Sequence, residues 1–545
     1  MAGTRPLGVD RAGQPSLAIA PLRAIDWRFL LPAPVGRRFD RLALLGGGPG
    51  LVARAVSAGL ADEIVAELPG PGRADLVAAY ADAPHDIPDI ARAVARGGLL
   101  YLEVDRHRRG GRRTTPGRVS KMLRAEGLTT CAFYVMEPSL QEPRAFIPLD
   151  EPHAMSWHRR TSYSDRAAVR IANAVRRHAV LIAGATVAAL DRPYAVIAIA
   201  GDPIDAVPGV LCEPDVVRRL GAAHDPRAAV MLTYGSDRTL LFPFGEGSRE
   251  PLGVVKVPKD EAFVDRTENE QHHQAVLRGR LDDDLVRAIP EPLGTVRVGR
   301  TVAACERFMA GASLATRAMD SAISFDAKVA DVRLATMWLA GFHQATEVRR
   351  ATIRDLRGSL VDDLLESYHR ELGTPADNAL RLRLAAVAES LGTRQLAIAT
   401  QHRDFAAWNV LRSGDDLAVV DWEGARDGFA ALDAVHLVTT WLYSVRLGVG
   451  VDDEAWCVHD MLDPTRDATA SAAHAALVSY LQALGLDPRV APLLVALHRI
   501  ELALRRLNQL QLQREPTDDA PLLQEARIVR SLAADADRLF PLGTT

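Results

Sequence analysis

The chain of 545 residues has only four cysteines, Cys131, Cys212, Cys305 and Cys457, widely spaced and with no CxxC pair. That excludes a disulfide framework and a cysteine-based zinc site, and fits a reducing compartment such as the cytoplasm. Charge of either sign is scarcely in excess: 65 basic against 69 acidic residues give a formal net charge of −4. General nucleic-acid and membrane-surface binders are usually basic, so neither partner is expected. No apolar run approaches the roughly 20 residues needed to span a bilayer. The longest, Ala179 to Leu190, ends at Asp191-Arg192-Pro193 and reads as a buried helix. Met1 to Leu17 lacks the apolar stretch of a signal peptide. Lysine is nearly missing: Lys121, Lys256, Lys259 and Lys328 are the only four, so a lysine here is a rare choice. Internal repeats are absent too. What is there is ordinary, 48% hydrophobic and 25% charged residues, which excludes disordered, collagen-like and coiled-coil classes. The length suggests about three domains.

Two stretches read as α/β. In the first, the apolar run Leu42 to Leu45 ends in Gly46-Gly47-Gly48-Pro49-Gly50, and a helical pattern follows. Strand candidates at Ile64 to Leu68, Leu76 to Tyr80 and Leu99 to Val104 alternate with a helical pattern at Ile90 to Ala95. Such alternation predicts a parallel sheet. The basic, glycine-rich residues 104–118 read as a solvated loop. Residues 156–215 read as a mainly helical connector with one strand candidate, Tyr194 to Ala200. The second α/β stretch has strand candidates at Val230 to Tyr234, Thr239 to Phe244 and Gly253 to Pro258. Beyond Ala315 the pattern is largely helical. The expected divisions are 1–155, 156–215, 216–310 and 311–545.

The strongest chemical signal is His402-Arg403-Asp404-Phe405-Ala406-Ala407-Trp408-Asn409, followed by Val419-Val420-Asp421-Trp422-Glu423. These spacings resemble the catalytic loop of the aminoglycoside phosphotransferase and choline kinase family, and the phosphoryl transfer that the resemblance implies requires a carboxylate near an acceptor hydroxyl and oxygen ligands for magnesium on phosphates. Asp404 suits the first role, Asn409 and Asp421 the second. Upstream, Gly253-Val254-Val255-Lys256-Val257-Pro258 puts a lysine inside an apolar strand, which is unfavourable unless the charge is paired. Lys259, after Pro258, is expected to face solvent. A helix over Arg266 to Leu281 offers Glu268 and Glu270, and at ~100° per residue Glu270 shares the inward face with Leu277 and Leu281.

These motifs, in this order, resemble the aminoglycoside phosphotransferase and choline kinase family, of protein-kinase-like fold, over roughly residues 216–540. The resemblance implies ATP and Mg²⁺ as cofactors, Asp404 as catalytic base, and Asn409 and Asp421 as metal ligands. It implies Lys256 on the phosphates with Glu270 as its partner. Gly235 and Ser236 would form the glycine turn. Glu306 and Phe308, in Cys305-Glu306-Arg307-Phe308-Met309-Ala310-Gly311, would lie in the hinge that holds the adenine. Asp433 would brace the catalytic loop. His343, in a helix resembling the family's LAxLH, is read as structural. There is no Ala-Pro-Glu motif, which favours a small-molecule hydroxyl acceptor over a protein. Trp441, Tyr443 and Trp456 could form an aromatic site for a quaternary ammonium, or be core.

Residues 40–150 resemble a class I methyltransferase, on the glycine turn, Ala74-Asp75-Leu76-Val77 and Ala95-Arg96-Gly97-Gly98-Leu99-Leu100. The resemblance implies S-adenosylmethionine as a candidate cofactor, with Glu67 on its ribose. Only about six residues separate Leu68 from the strand at Asp75, so the sheet is expected to be abbreviated and the domain degenerate. The fold class expected is α/β plus α+β: an abbreviated Rossmann-like methyltransferase-type domain, then a bilobal protein-kinase-like fold with a mostly helical large lobe. The activity expected is ATP- and Mg²⁺-dependent phosphorylation of an aminoglycoside-, choline- or sugar-like acceptor. The alternatives are an inactive nucleotide-binding scaffold and a kinase joined to an active methyltransferase. Nothing in the sequence sets an oligomeric state.

Overall fold

The computed structural model describes residues 23–48, 50–105, 114–140, 143–161, 192–202, 207–221, 226–233, 237–374, 377–512 and 524–540. They fall into two units, Ala20–Ala275 with Pro290–Phe308, and Val276–Ile289 with Met309–Thr545. The expected apolar helix at Ala179 to Leu190 lies outside the described residues, as do residues 106–113 of the basic loop.

In the first unit, short apolar runs become the strands β1 (Phe39–Leu45), β2 (Ala61–Val65), β3 (Ala74–Ala79), β4 (Val94–Val104), β5 (Leu128–Pro138) and β6 (Pro143–Pro148). After them come β7 (Tyr194–Ala200), β8 (Ala228–Leu232), β9 (Arg238–Phe244), β10 (Val254–Pro258), β11 (Pro292–Val298) and β12 (Thr301–Glu306). They join in one sheet, in the order β11-β12-β10-β9-β8-β6-β5-β7-β4-β3-β1-β2. The block β2-β1-β3-β4 is parallel, as the strand-helix alternation predicts. The rest is antiparallel.

Within residues 156–215, the strand expected at Tyr194 to Ala200 is present, and residues 162–191 lie outside the described residues. This strand, β7, lies between β4 and β5. Tyr194, Val196 and Ala198 pack on one face with Leu100 and Leu102, and Ala195 and Ile197 on the other with Leu99 and Tyr101. Burial on both faces is why this segment reads as a continuous apolar run rather than an alternating one. The sheet does not break at residues 155 or 215: β8 pairs with β6 through Phe146 and Met231.

The glycine turn after β1 has φ near +80° at Gly46, Gly47, Gly48 and Gly50, a conformation that favours glycine. The Gly47 N–H donates to the Asp82 carboxylate at 2.8 Å. A Cβ on Gly46 would collide with that same carboxylate. The Gly47 N–H of the turn is thus taken by the chain's own Asp82, while Gly48 and Gly50 stand open. Glu67 is exposed, beyond the end of β2.

At the ends of β3 and β4, Trp27 Nε1 donates to Tyr80 Oη at 2.7 Å and the Trp27 ring stacks on Tyr101 at 4.9 Å. Tyr101 Oη donates to Glu103 Oε1 at 2.8 Å. Burial pushes the Glu103 carboxyl up to about 7, although the Tyr101 hydroxyl and the Ala81 N–H favour the ionised form. The native state therefore binds a proton that the unfolded chain has lost between about pH 4.5 and 7. Stability should fall across that window as pH rises, by on the order of 3 kcal/mol in all, and level off above it. Glu103→Gln should remove this slope. Urea unfolding from pH 5 to 8 measures it, and equal slopes in the two proteins would disprove it.

Lys259 does not face solvent. Its Nζ pairs with Asp26 at 2.5 Å, with both side chains at most 1% exposed. The Lys259 N–H donates to the carbonyl of Asp237 at 2.7 Å. Arg28 also lies 3.3 Å from Asp26 and donates to the carbonyl of Lys259 at 2.7 Å. Helix α1 (Val264–Arg280) follows. With Phe263 just before it, its buried positions Thr267, Glu270, Gln274 and Leu277 recur at spacings of three and four, the mark of one helix face.

In the second unit, β14 (Arg349–Thr352), β15 (Gln395–Gln401) and β18 (Arg426–Phe429) form one small sheet, in the order β14-β15-β18. A second consists of β13 (Ala312–Ser313), β16 (Val410–Ser413) and β17 (Asp416–Val419). Helices pack around them, among them α2 (Phe325–Ala345), α3 (Ala431–Leu447) and α4 (Ala491–Leu512). Helix α3 is apolar almost all round and buried along most of its length, as such a pattern demands. Among the described residues no helix is long and apolar enough to cross a membrane. All four cysteines are free.

Candidate functional site

In the first unit the central strand β10, between β9 and β12, carries Lys256, which is 3% exposed. Its charge is met from two sides. Nζ lies 2.6 Å from Glu270 Oε1 on α1 and 2.9 Å from Glu306 Oε1 at the end of β12. Arg238 on β9 takes the other Glu270 oxygen at 2.8 Å, and Gln274 donates to the other Glu306 oxygen at 3.0 Å. Glu270 is wholly buried and Glu268 is exposed, as the helix periodicity predicts. The Glu306 side chain turns onto Lys256. Burial raises its carboxyl, and the Glu270 charge raises it further, against the lowering effect of Lys256. Phe308 packs edge-on against Trp157, 6.0 Å between ring centres. Gly235 and Ser236 lie outside the described residues.

In the second unit the chain leaves β15 into the loop 402–409. His402 Nε2 donates to the Val420 carbonyl at 3.0 Å, and His402 Nδ1 then accepts the Asp404 N–H at 3.3 Å. Asp433, near the start of α3, accepts the consecutive N–H groups of His402 and Arg403 at 2.6 and 2.8 Å. This clamp holds Arg403 at φ +68°, a left-handed conformation rare outside glycine. Burial alone would raise the Asp433 carboxyl, but the hydrogen bond and charge of His343, with His402, bring it below its ordinary value. His343 is fully buried and also bonds Tyr480 Oη at 2.7 Å.

The Asp404 side chain is 41% exposed. Asn409 Nδ2 donates to Asp404 Oδ2 at 2.8 Å and to the Asp404 carbonyl at 2.9 Å. His436 Nε2, one turn after Asp433 on α3, donates to Asp404 Oδ1 at 3.0 Å. Burial works to raise the Asp404 carboxyl. The hydrogen bond and charge of His436, then Arg505 and His402, outweigh it and hold the group far below the usual carboxylate range. Asn409 and Asp421 are linked through Val420, whose N–H donates to the Asn409 carbonyl at 2.9 Å. Asp421 follows at φ +77°, and the buried Trp422 packs on His402, 4.6 Å between ring centres.

The sequence reading missed His436 and the face of α4 beneath the loop. His498 packs on His436 with ring centres 4.9 Å apart, Glu501 pairs with Arg403 at 2.9 Å, and Arg505 donates to the Arg403 carbonyl. Polar residues at 498, 501 and 505 recur at spacings of three and four, which sets them on one face of α4. Of the aromatic trio, Trp441 is wholly buried, Tyr443 donates to Asp452 at 2.7 Å, and Trp456 is exposed beneath Arg466. They do not form a cage.

Among the described residues no group of three or more His, Cys, Asp or Glu could hold a metal by itself. Magnesium on a nucleotide needs only one or two protein ligands, since phosphate and water complete its shell. Asn409 fits: its amide nitrogen is committed to Asp404, which leaves its amide oxygen as a donor. Asp421 supplies a half-buried carboxylate.

No curated protein matches the chain. Among solved structures it is similar to a glucosamine kinase in complex with glucosamine, ADP and inorganic phosphate, at 18% identity over 59% of this chain and 84% of that one, TM-score 0.38. A choline/ethanolamine kinase family protein from Mesorhizobium loti matches at 16% identity over 55% and 86%, TM-score 0.35. An aminoglycoside phosphotransferase in a ternary complex with ADP and hygromycin B matches at 14% over 60% and 97%, TM-score 0.37. Residues 253–457, which contain Lys256, Glu270, Glu306, Asp404, Asn409 and Asp421, match the model of the phosphotransferase enzyme family.

Proposed function

We propose that the protein transfers the γ-phosphoryl group of ATP to the hydroxyl of a small molecule. The observation that carries this reading is the constellation of a half-exposed, ionised Asp404, an Asn409 locked onto it, and Asp421 coupled to both through Val420. Asp404 orients the acceptor hydroxyl and takes its proton. The hydroxyl oxygen bonds to the γ-phosphorus, the bond from that phosphorus to the β–γ bridging oxygen breaks, and ADP leaves. Asn409 and Asp421 hold magnesium, which neutralises charge on the phosphates when bound. Lys256 serves the phosphates as a point charge.

His436 explains why Asp404 works as an orienting group rather than a strong base. A carboxylate held far below its usual range accepts a proton only late in the transfer, which suits a loose transition state.

Asp421→Asn should abolish magnesium-dependent ATP binding and turnover. Calorimetric titration with ATP, with and without magnesium, measures the first, and ADP release over a panel of alcohols the second. Unchanged magnesium dependence in the variant would remove Asp421 from the metal site. The two carboxylates on Lys256 favour a second reading, a scaffold that binds no nucleotide. The same titration separates the two, because a scaffold gives no magnesium-dependent heat in the wild type.

A further inference from the structure

Beside Asp404 the second unit gathers three arginines close enough to repel one another. Arg403, Arg426 and Arg505 share one directly paired carboxylate, Glu501, which lies 2.9 Å from Arg403 and 3.8 Å from Arg426. Arg505 makes its hydrogen bond to a carbonyl, that of Arg403. The Nε atoms of Arg403 and Arg505 are buried, and neither has a hydrogen-bond acceptor among the described residues. Buried donors without acceptors are rare in folded proteins and call for a reason. Arg426, at the start of β18, is 61% exposed. Burial and mutual repulsion lower both Arg426 and Arg505 from their ordinary values. Asp404 and Asp433 also act on Arg505 through their charge, but neither makes a direct ion pair with an arginine among the described residues. Asp404 accepts from His436 and Asn409, and Asp433 from two backbone N–H groups.

We propose that Arg403, Arg426 and Arg505 bind an oxyanion on the acceptor, which makes that acceptor an alcohol bearing a phosphate or carboxylate group. Guanidinium forks match the geometry of both groups, and repulsion among three of them is relieved by an anion. A cationic aminoglycoside- or choline-like acceptor would meet that repulsion unrelieved. The proposal rests on the reading of Asp404 as the group that faces the acceptor.

The test uses the full chain saturated with magnesium and ADP, titrated calorimetrically with inorganic phosphate and, separately, with acetate. Phosphate, acetate or both should bind, and Arg426→Gln should weaken that binding by at least about tenfold, the loss expected for one charge-assisted contact. Arg426 is mostly exposed, and an unchanged melting temperature keeps this variant interpretable. Binding of phosphate alone points to a phosphorylated acceptor, and binding of acetate to a carboxylated one. No binding of either ion, or binding indifferent to Arg426→Gln, overturns the proposal. Phosphate binding lost in Lys256→Met but kept in Arg426→Gln would place the ion at the nucleotide and overturn it as well. An arginine-dependent oxyanion site in a chain that shows no ATP turnover would sink the phosphotransferase reading and leave the anion site standing.

Discussion

Asp404→Ala should lower the rate of phosphoryl transfer by about 10²–10⁴-fold, the range lost with a positioned general base, while ATP still binds. The binding half of this expectation follows from where the contacts lie. Lys256 keeps Glu270 and Glu306, and Asp421 keeps its place two residues past the end of β17. The catalytic half follows from what Asp404 holds together. Asn409 and His436 both donate to its carboxylate, and alanine leaves both donors without that acceptor. Asp404→Asn is the sharper control, because it keeps the shape and removes the charge. It should be as inactive as the alanine variant if the carboxylate orients the hydroxyl and receives its proton. Since His436 keeps Asp404 ionised well below its ordinary range, the wild-type rate should not fall through the usual carboxylate titration region near pH 4 on account of Asp404. Single-turnover ADP formation alongside nucleotide calorimetry reads both halves. Transfer at the wild-type rate in either variant would remove Asp404 from the chemistry.

The parts of the site legible in the sequence are those whose partners lie close along the chain. Asp404, Asn409 and Asp421 fall within one loop and the hairpin after it, so their spacing carries the pattern. Lys256 and Glu270 are fourteen positions apart, and strand alternation with helix periodicity places both on inward faces. The missed groups, and the contact of Glu306 with Lys256, come from far away. Glu306 reaches Lys256 across neighbouring strands, and nothing in the hinge motif says that its side chain turns inward. His436 meets Asp404 from 32 positions on, and Glu501 meets Arg403 from 98. Neither has a local pattern beyond a polar residue on a helix. The fold divides in the same way. Parallel pairing of β1, β3 and β4 follows from strand-helix alternation. The insertion of β7 between β4 and β5 does not, because a strand buried on both faces carries no alternation to show which way it turns.

Lys259→Met should destabilise the protein by about 3–5 kcal/mol, the loss typical when one partner of a buried ion pair is removed. Asp26 has 233 residues of chain between it and Lys259, and neither side chain is more than 1% exposed. Methionine fills the volume and leaves the aspartate charge to Arg28 alone, at 3.3 Å. The double variant Asp26→Leu/Lys259→Met removes both charges and should recover most of the loss, since well-packed apolar residues often replace a buried pair without penalty. Urea midpoints for the two single variants and the double variant give the coupling. A Lys259→Met protein within about 1 kcal/mol of wild type would mean that water or Arg28 already satisfies Asp26. The pair also bears on the nucleotide. Lys259 lies three positions beyond Lys256, just past the end of β10, so the anchor that fixes that strand end also helps to aim the ammonium proposed to meet the phosphates. ATP affinity should therefore fall in Lys259→Met under conditions where the protein is still folded, and return in the double variant. A stability loss with unchanged ATP affinity would show instead that Glu270 and Glu306 alone hold Lys256 in place.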